Sequence, residues 1–344
     1  MRRSAQAERL TAQALSGPPS STPVAVAERL LAIQGQDPRG ARLAIRARTT
    51  GLTVADVDRA LTEDRSLLIT WLNRGTLHLV RSEDYPWLQA LTTPPLLSGN
   101  ARRLGEEGVT PEEAERGVAV IVEALAAGGP LTRLQLRERL DSAGVRTEGQ
   151  ALVHLLMLTC LRGIAVRGPM VGKQQAYVLV QDWLEPAKKV DRDKALAELA
   201  RRYLVGHGPA DDRDLAKWAG LPLRDVRAGL EAISSELEER EDGLVNLAGR
   251  PPEAGDFPLP RLLGAFDPVL LGWKSREPIL GPHTHLVTIN GIFRPFAMVD
   301  GRAVATWKLA KGKVAIEHLG KVTKKAAAAL EVDAVEVERF MAGD

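Results

Sequence analysis

Apolar side chains recur at helical spacing along most of the chain, broken at wide intervals by pairs of short alternating stretches. The clearest run is 111–127, where Val118, Ile121, Val122 and Leu125 share one helical face. Residues 131–140 predict a short second helix ended by Ser142-Ala143-Gly144, and 147–162 predict a third, stopped by Gly163. Two β-like stretches, 164–167 and 176–180, then flank a turn containing Gly168, Pro169, Gly172 and Lys173. Three helices followed by a two-stranded wing describe a winged helix-turn-helix.

The same order returns further on. Helices are predicted at 194–205, 212–218 and 222–235, followed by strands near 237–240 and 244–247. Register supports an internal repeat. Leu52-Thr53-Val54, Leu131-Thr132-Arg133 and Ala210-Asp211-Asp212 lie 79 positions apart, which puts Val57, Leu136 and Leu215 in equivalent places. In each copy a Gly or Gly-Pro turn precedes a Thr or Asp suited to helix capping. Units of this kind lay their third helix in a DNA groove and touch phosphates with the wing, and they also serve as protein–protein modules.

The tail differs. Residues 249–260 are rich in Pro and Gly and read as a linker. Beyond it, 262–307 alternates β-like segments with turn signals at Asn290-Gly291 and Asp300-Gly301, and Lys311-Gly312-Lys313 makes another hairpin tip. A helix is predicted over 323–341. The expected architecture is mainly α with a small β content (α+β). It has winged helix 1 over 1–100, winged helix 2 over 101–187, winged helix 3 over 188–250, and a C-terminal β-rich subdomain with a terminal helix over 251–344.

Composition sharpens this picture modestly. Of 344 residues, 44% are hydrophobic, enough for two or three cores rather than one. Only 4% are aromatic, so those cores rest on Leu, Val, Ala and Ile. No apolar run approaches the ~20 residues that span a bilayer, and no apolar segment follows the basic start, so a cytoplasmic protein is expected. Cys160 is the one cysteine; it lies in the apolar stretch Leu158-Thr159-Cys160-Leu161 and reads as a small buried hydrophobe.

The net charge of +2 says little about nucleic acid, but its distribution says more. Residues 1–48 hold eight arginines against Glu8, Glu28 and Asp37, and 302–325 hold seven basic residues against Glu317. The acidic run from Glu236 to Asp242 lies between them. Separated basic ends suit a phosphate-tracking surface, and equally a solvated basic face.

Motifs for nucleotide binding, paired thiolate metal sites and serine or zinc hydrolysis are missing from the sequence. His283 and His285 are spaced as one edge of a metal site, without a neighbouring carboxylate cluster. The stretch Gln34-Gly35-Gln36-Asp37-Pro38-Arg39 stands out, because a helical run from Val24 carries into two glutamines and an Asp-Pro pair. Pro38 disfavours helical backbone at Asp37, so the helix is expected to end or kink there. Arg39, Arg42 and Arg46 follow at i, i+3 and i+7 and predict a basic cleft lining beside the glutamines. Capping and surface solvation account for the same residues equally simply.

That stretch resembles the QxQ region of the AlkZ-like DNA glycosylases, a bacterial winged-helix family that also includes YcaQ. The middle position, a bulky aliphatic in the family, is Gly35 here. Trp71-Leu72-Asn73-Arg74-Gly75-Thr76-Leu77-His78-Leu79-Val80 supports the resemblance. So do Ala265-Phe266-Asp267-Pro268-Val269-Leu270-Leu271-Gly272 and Gly291-Ile292-Phe293-Arg294-Pro295. The likeness therefore covers nearly the whole chain. It implies three tandem winged helices with a C-terminal β element, arranged as a C-shaped clamp around duplex DNA, and it puts Gln34 and Gln36 at the excision centre.

The resemblance further implies a monofunctional enzyme that hydrolyses the N-glycosidic bond of alkylated, N7-substituted purines, unhooking interstrand cross-links, serving general alkylation repair, or giving self-resistance to a genotoxic natural product. Asp37 and His78 are expected as catalytic support, and Arg39, Arg42, Arg46, Lys311 and Lys313 as DNA contacts. The expected partner is double-stranded DNA carrying alkylated bases. No cofactor, metal or membrane is expected, and a monomer is the default. Two other readings share the pattern: a non-catalytic winged-helix DNA-binding protein or transcription regulator, and a protein-interaction scaffold.

Overall fold

The computed structural model describes residues 5–187, 189–249 and 259–343. The chain divides into two compact units, one formed by 1–57 with 193–344 and the other by 58–192. In chain order the first unit contributes α1 (Ala5–Ala12), α2 (Pro23–Leu30), the two-residue β1 (Ile33–Gln34) and α3 (Pro38–Arg46), after which α4 runs over Val54–Thr62.

The second unit contains β2 (Leu67–Leu72), β3 (Thr76–Arg81), α5 (Tyr85–Thr92), α6 (Leu97–Glu106), α7 (Pro111–Gly128), β4 (Leu131–Thr132) and α8 (Arg133–Ser142). α9 (Ala151–Leu161), β5 (Ala165–Val171), β6 (Gln174–Leu179) and the single turn α10 (Val180–Trp183) complete it. Local chemistry sets the helix starts. Thr110 accepts from the backbone N–H of Glu113 with Pro111 at the first helical position of α7, and Thr132 with Gln135 closes a capping box on α8. Within this unit the strands are antiparallel in the order β3-β2-β5-β6-β4.

That sheet explains why the compact units do not coincide with four successive segments. The hairpin β2–β3 shares its sheet with the hairpin β5–β6. The segment before residue 111 differs in register: α4 starts 79 positions before α8 and α8 79 before α12, but α4 runs directly into β2, whereas α9 and α13 stand between α8 or α12 and the following hairpin.

The chain then returns to the first unit with α11 (Arg192–His207), α12 (Asp212–Ala219), α13 (Leu223–Ala232) and the hairpin β7 (Leu237–Glu239)–β8 (Val245–Leu247). The predicted linker lies almost wholly outside the described residues. After it come β9 (Arg261–Leu263), the short α14 (Glu277–Leu280), β10 (Phe296–Val299), β11 (Arg302–Ala310), β12 (Lys313–His318) and α15 (Lys324–Ala342). The four strands form an antiparallel sheet in the order β12-β11-β10-β9. Positive φ at Asp300-Gly301 and at Lys311-Gly312 gives the two-residue turns that match strand twist. Leu330, Val337 and Phe340 of α15 are buried in this part of the unit.

Residues 264–295 were expected to alternate strands, and they do not. Turns and single-turn helices fill most of the segment, and Val287 and Phe293 make only an isolated bridge around the Asn290-Gly291 turn. Alternating hydrophobicity here comes from apolar anchors, Val269, Leu270, Ile279, Leu280 and Leu286, which tie loops to the core.

The two distant parts of the first unit are joined by buried polar ties. Gln13 Nε2 donates to the carbonyl of Gly206 at 2.9 Å, and the fully buried Arg48 pairs with the fully buried Asp267. His207, Tyr203, Trp218 and Trp273 form an aromatic cluster, with His207 stacked on Tyr203 at 4.7 Å between centroids.

Candidate active site

The glutamine segment is reached through a fracture in the helix that precedes it. α2 ends at Leu30, and Leu31 adopts φ 63° and ψ −48° while the N–H of Ala32 donates to the carbonyl of Leu30 at 2.7 Å. This is a γ-turn with positive φ at a non-glycine residue, a strained conformation that persists only where its surroundings enforce it. Leu31 is fully buried, which supplies the enforcement. The helix thus breaks well before Asp37, where the Asp-Pro pair alone had predicted the end. Asp37 has the other role: it is the N-cap of α3, accepting from the N–H of Arg39 at 2.9 Å with Pro38 at the first helical position.

Between fracture and cap lie the two glutamines. Gln34 is 6% exposed on β1, whereas Gln36 is exposed just before the cap. One amide is therefore held inside the protein and the other faces solvent.

Crossing the start of α3 is the backbone of 264–265. A Cβ at Gly40 would lie 2.2 Å from the carbonyl oxygen of Ala265 and 3.4 Å from Cβ of Asp37, and one at Gly264 would meet Cα of Gly40 at 3.1 Å. Only glycine permits so close a backbone approach. The next residue, Phe266, has φ 58° and is partly exposed, its ring 5.2 Å between centroids from Phe293. The guanidinium of Arg276 lies 4.9 Å from the centroid of Phe293. Two stretches far apart in sequence, 265–272 and 291–295, are thus brought together beside α3. Nothing local in the sequence announces the positive φ at Phe266.

The arginines of α3 divide. Arg39 is exposed. Arg42 is 5% exposed and donates back to the carbonyl of Pro38 at 2.9 Å. Arg46 forms a bidentate pair with Asp333 of α15, at 2.8 and 2.7 Å, and Arg261 shares the same carboxylate. Arg42 and Arg46 are therefore not part of a phosphate-facing lining. The last two positions of the i, i+3, i+7 series face inward, and the charge of Arg46 is compensated by a carboxylate 287 residues away.

His78 is also internal. It is 2% exposed on β3 with Nδ1 2.9 Å from the carbonyl of Thr76. Burial, reinforced by nearby Arg74, pushes its pKa down to about 3, so it stays neutral. Lys311 and Lys313 are exposed at the β11–β12 tip, with Lys313 paired to Glu338 at 2.7 Å.

The groove-reading role expected of a third helix does not extend to α9. Most of its residues are buried, and it packs against α6, α7, β2 and β5 as the core helix of 58–192. Cys160 lies on it, fully buried. His283 and His285 approach at 6.0 Å between ring centroids, and among the described residues no cluster of three His, Cys, Asp or Glu is placed to hold a metal. A cleft of about 500 Å³ lined by Thr11, Ser16, Ser20, Arg29 and Arg202 contains none of the predicted site residues. Among the described residues no helix is long and apolar enough to cross a membrane.

A glutamine held behind a strained break, a capped helix start and a glycine-mediated backbone crossing define a preorganised polar centre on a mainly helical α+β scaffold. The family model for DNA glycosylase AlkZ-like proteins matches residues 27–340, and the chain belongs to that family. It is accordingly a DNA glycosylase, a hydrolase of N-glycosyl bonds that acts on DNA. Among its relatives is an interstrand DNA cross-link repair glycosylase of Streptomyces sahachiroi, 27% identical over 342 residues that cover 91% of this chain and 89% of that protein. The solved structure of Streptomyces sahachiroi DNA glycosylase AlkZ superposes with a TM-score of 0.78 at 26% identity, over 99% of this chain and 97% of that one.

Proposed function

We propose that this glycosylase excises alkylated, N7-substituted purines from double-stranded DNA, that Gln34 and Gln36 carry the excision, and that its substrates include interstrand cross-links. The observation that carries the assignment to this segment is the strained turn at Leu31, which sets a buried Gln34 at a helix break. The cross-link activity named for the Streptomyces sahachiroi relative supports the substrate class.

An N7-alkylated purine is cationic and leaves as a neutral base without being protonated. Water adds at C1′, the C1′–N9 bond breaks with its electron pair passing to N9, and the water's proton goes to solvent. A glutamine amide is no general base, but its carbonyl oxygen orients water and directs negative dipole density toward the developing oxocarbenium ion. Gln34, internal and fixed, supplies the dipole. Gln36, exposed, positions the water, and the Asp37 carboxylate adds negative potential beside it. Arg39, Lys311 and Lys313 hold phosphates. No lysine is needed as nucleophile, so the enzyme is monofunctional and works without metal or cofactor, as a monomer. Residues 111–179 and 192–247 are read as winged helices, with a shortened counterpart before them.

The test is release of 7-methylguanine from duplex DNA by wild type, Gln34→Ala and Gln36→Ala, with folding followed by circular dichroism. Each variant is expected to lose about a hundredfold in single-turnover rate while binding duplex normally. Binding without release by wild type would support the regulator reading instead, and a borohydride-trapped DNA adduct would contradict the monofunctional mechanism.

A further inference from the structure

Phe266 is held in an unusual way. Its backbone has φ 58°, in the left-handed region that a phenylalanine rarely enters, and both neighbours are immobilised. Ala265 is pressed against Gly40 at the start of α3, and Asp267 is fully buried, bonded to Arg48 and to the N–H of Val269. The residue is nevertheless not fully buried, its ring tilted 38° against the buried Phe293. A hydrophobic side chain that served the core alone would gain nothing from a strained backbone that leaves the residue incompletely buried. Strain of this kind, fixed by the residues on either side, is what preorganised binding positions carry.

The location gives the ring its ligand. The carbonyl of Ala265 and Cβ of Asp37 crowd the same position on Gly40, so Phe266 follows directly on the backbone that crosses the start of α3, next to the cap residue that follows Gln36. An aromatic face attracts cations and stacks on flat rings, and a purine alkylated at N7 is both.

We infer that Phe266 is the specificity-determining residue for a positively charged base: its ring is the surface on which the cationic alkylpurine stacks. The inference rests on the excision reading above and names what discriminates damaged from normal purines. A normal guanine offers the same flat ring without the charge and gains only stacking. A cationic one gains the cation–π attraction as well, and on a partly desolvated face this is worth about a tenfold preference.

The test compares two duplexes of matched shape. One carries 2′-fluoro-7-methylguanine, which is cationic and resists cleavage; the other carries 7-deaza-7-methylguanine, which is neutral. Wild type is expected to bind the first about tenfold more tightly. Phe266→Leu should bring the ratio near one, and Phe266→Tyr should keep the ratio. If Phe266→Leu does not fold, Phe266→Asn, which tolerates the left-handed backbone, is read in the same way. A wild type that releases 7-methylguanine but shows no charge preference, or a ring-free variant that keeps the preference, overturns the assignment of Phe266 alone. A wild type that releases no base overturns the excision reading itself.

Discussion

Arg48 and Asp267 form a bidentate ion pair, at 3.0 and 2.8 Å, in which neither side chain is exposed. The remaining donors of Arg48 go to Gln13 and to the carbonyl of Ala44, so all five N–H groups are used. The pair links the end of α3 to the loop carrying Phe266, across 219 residues of sequence.

Removing one partner leaves the other charged and buried. Arg48→Met and Asp267→Asn are each expected to lower stability by about 3–5 kcal/mol, measured by denaturant unfolding. A double variant with apolar residues at both positions should recover part of that loss. A loss under about 1 kcal/mol for either single change would mean that water or another residue replaces the missing partner.

Exposure separates the arginines of α3 functionally. Arg39→Ala is expected to reduce the slope of log binding constant against log salt by about one unit on duplex DNA, with unchanged stability. Arg46→Ala should leave the slope alone and destabilise the protein, because it strips one of two arginines from the buried Asp333. Equal effects on the salt slope would overturn the division.

Gly40 admits no side chain. Gly40→Ala would drive a Cβ to within 2.2 Å of the backbone carbonyl of Ala265, and backbone cannot step aside as a flexible side chain can. The variant is expected to lose about 1–3 kcal/mol and to lower excision more than stability alone predicts. Thermal melting and single-turnover release, measured on the same preparation, decide the point. A melting temperature within a degree of wild type would show that α3 moves freely.

Acid should expose two buried histidines. Burial holds the pKa of both His78 and His207 down to about 3, against about 6.5 in the unfolded chain. Below about pH 6.5 the unfolded state therefore binds more protons than the native state, and stability falls as pH drops. The loss has a limiting slope of about 1.4 kcal/mol per pH unit for each histidine and flattens near pH 3. Urea unfolding between pH 7 and 4 should show this, with a shallower slope in His78→Gln and in His207→Gln. A wild-type stability flat over that range would show that both histidines become solvated.

The helices of 111–161 and 192–232, the hairpins after them and α15 were legible in the sequence, because their capping residues, turn glycines and apolar periods lie within a few residues of one another. Thr132 with Gln135 and Asp300 with Gly301 are cases in point. The glutamine segment was legible as a break, and Asp37 as a cap. What only the tertiary structure decided is where each side chain of these segments faces. Arg46 has the same local signal as Arg39, and its role is set by Asp333, brought against it from the far end of the chain. The fracture at Leu31, the glycine crossing at Gly40 and the posture of Phe266 were likewise hidden. Strain and close backbone approach arise from the packing of elements distant in sequence, and local propensity carries no record of a neighbour that arrives only when the chain closes.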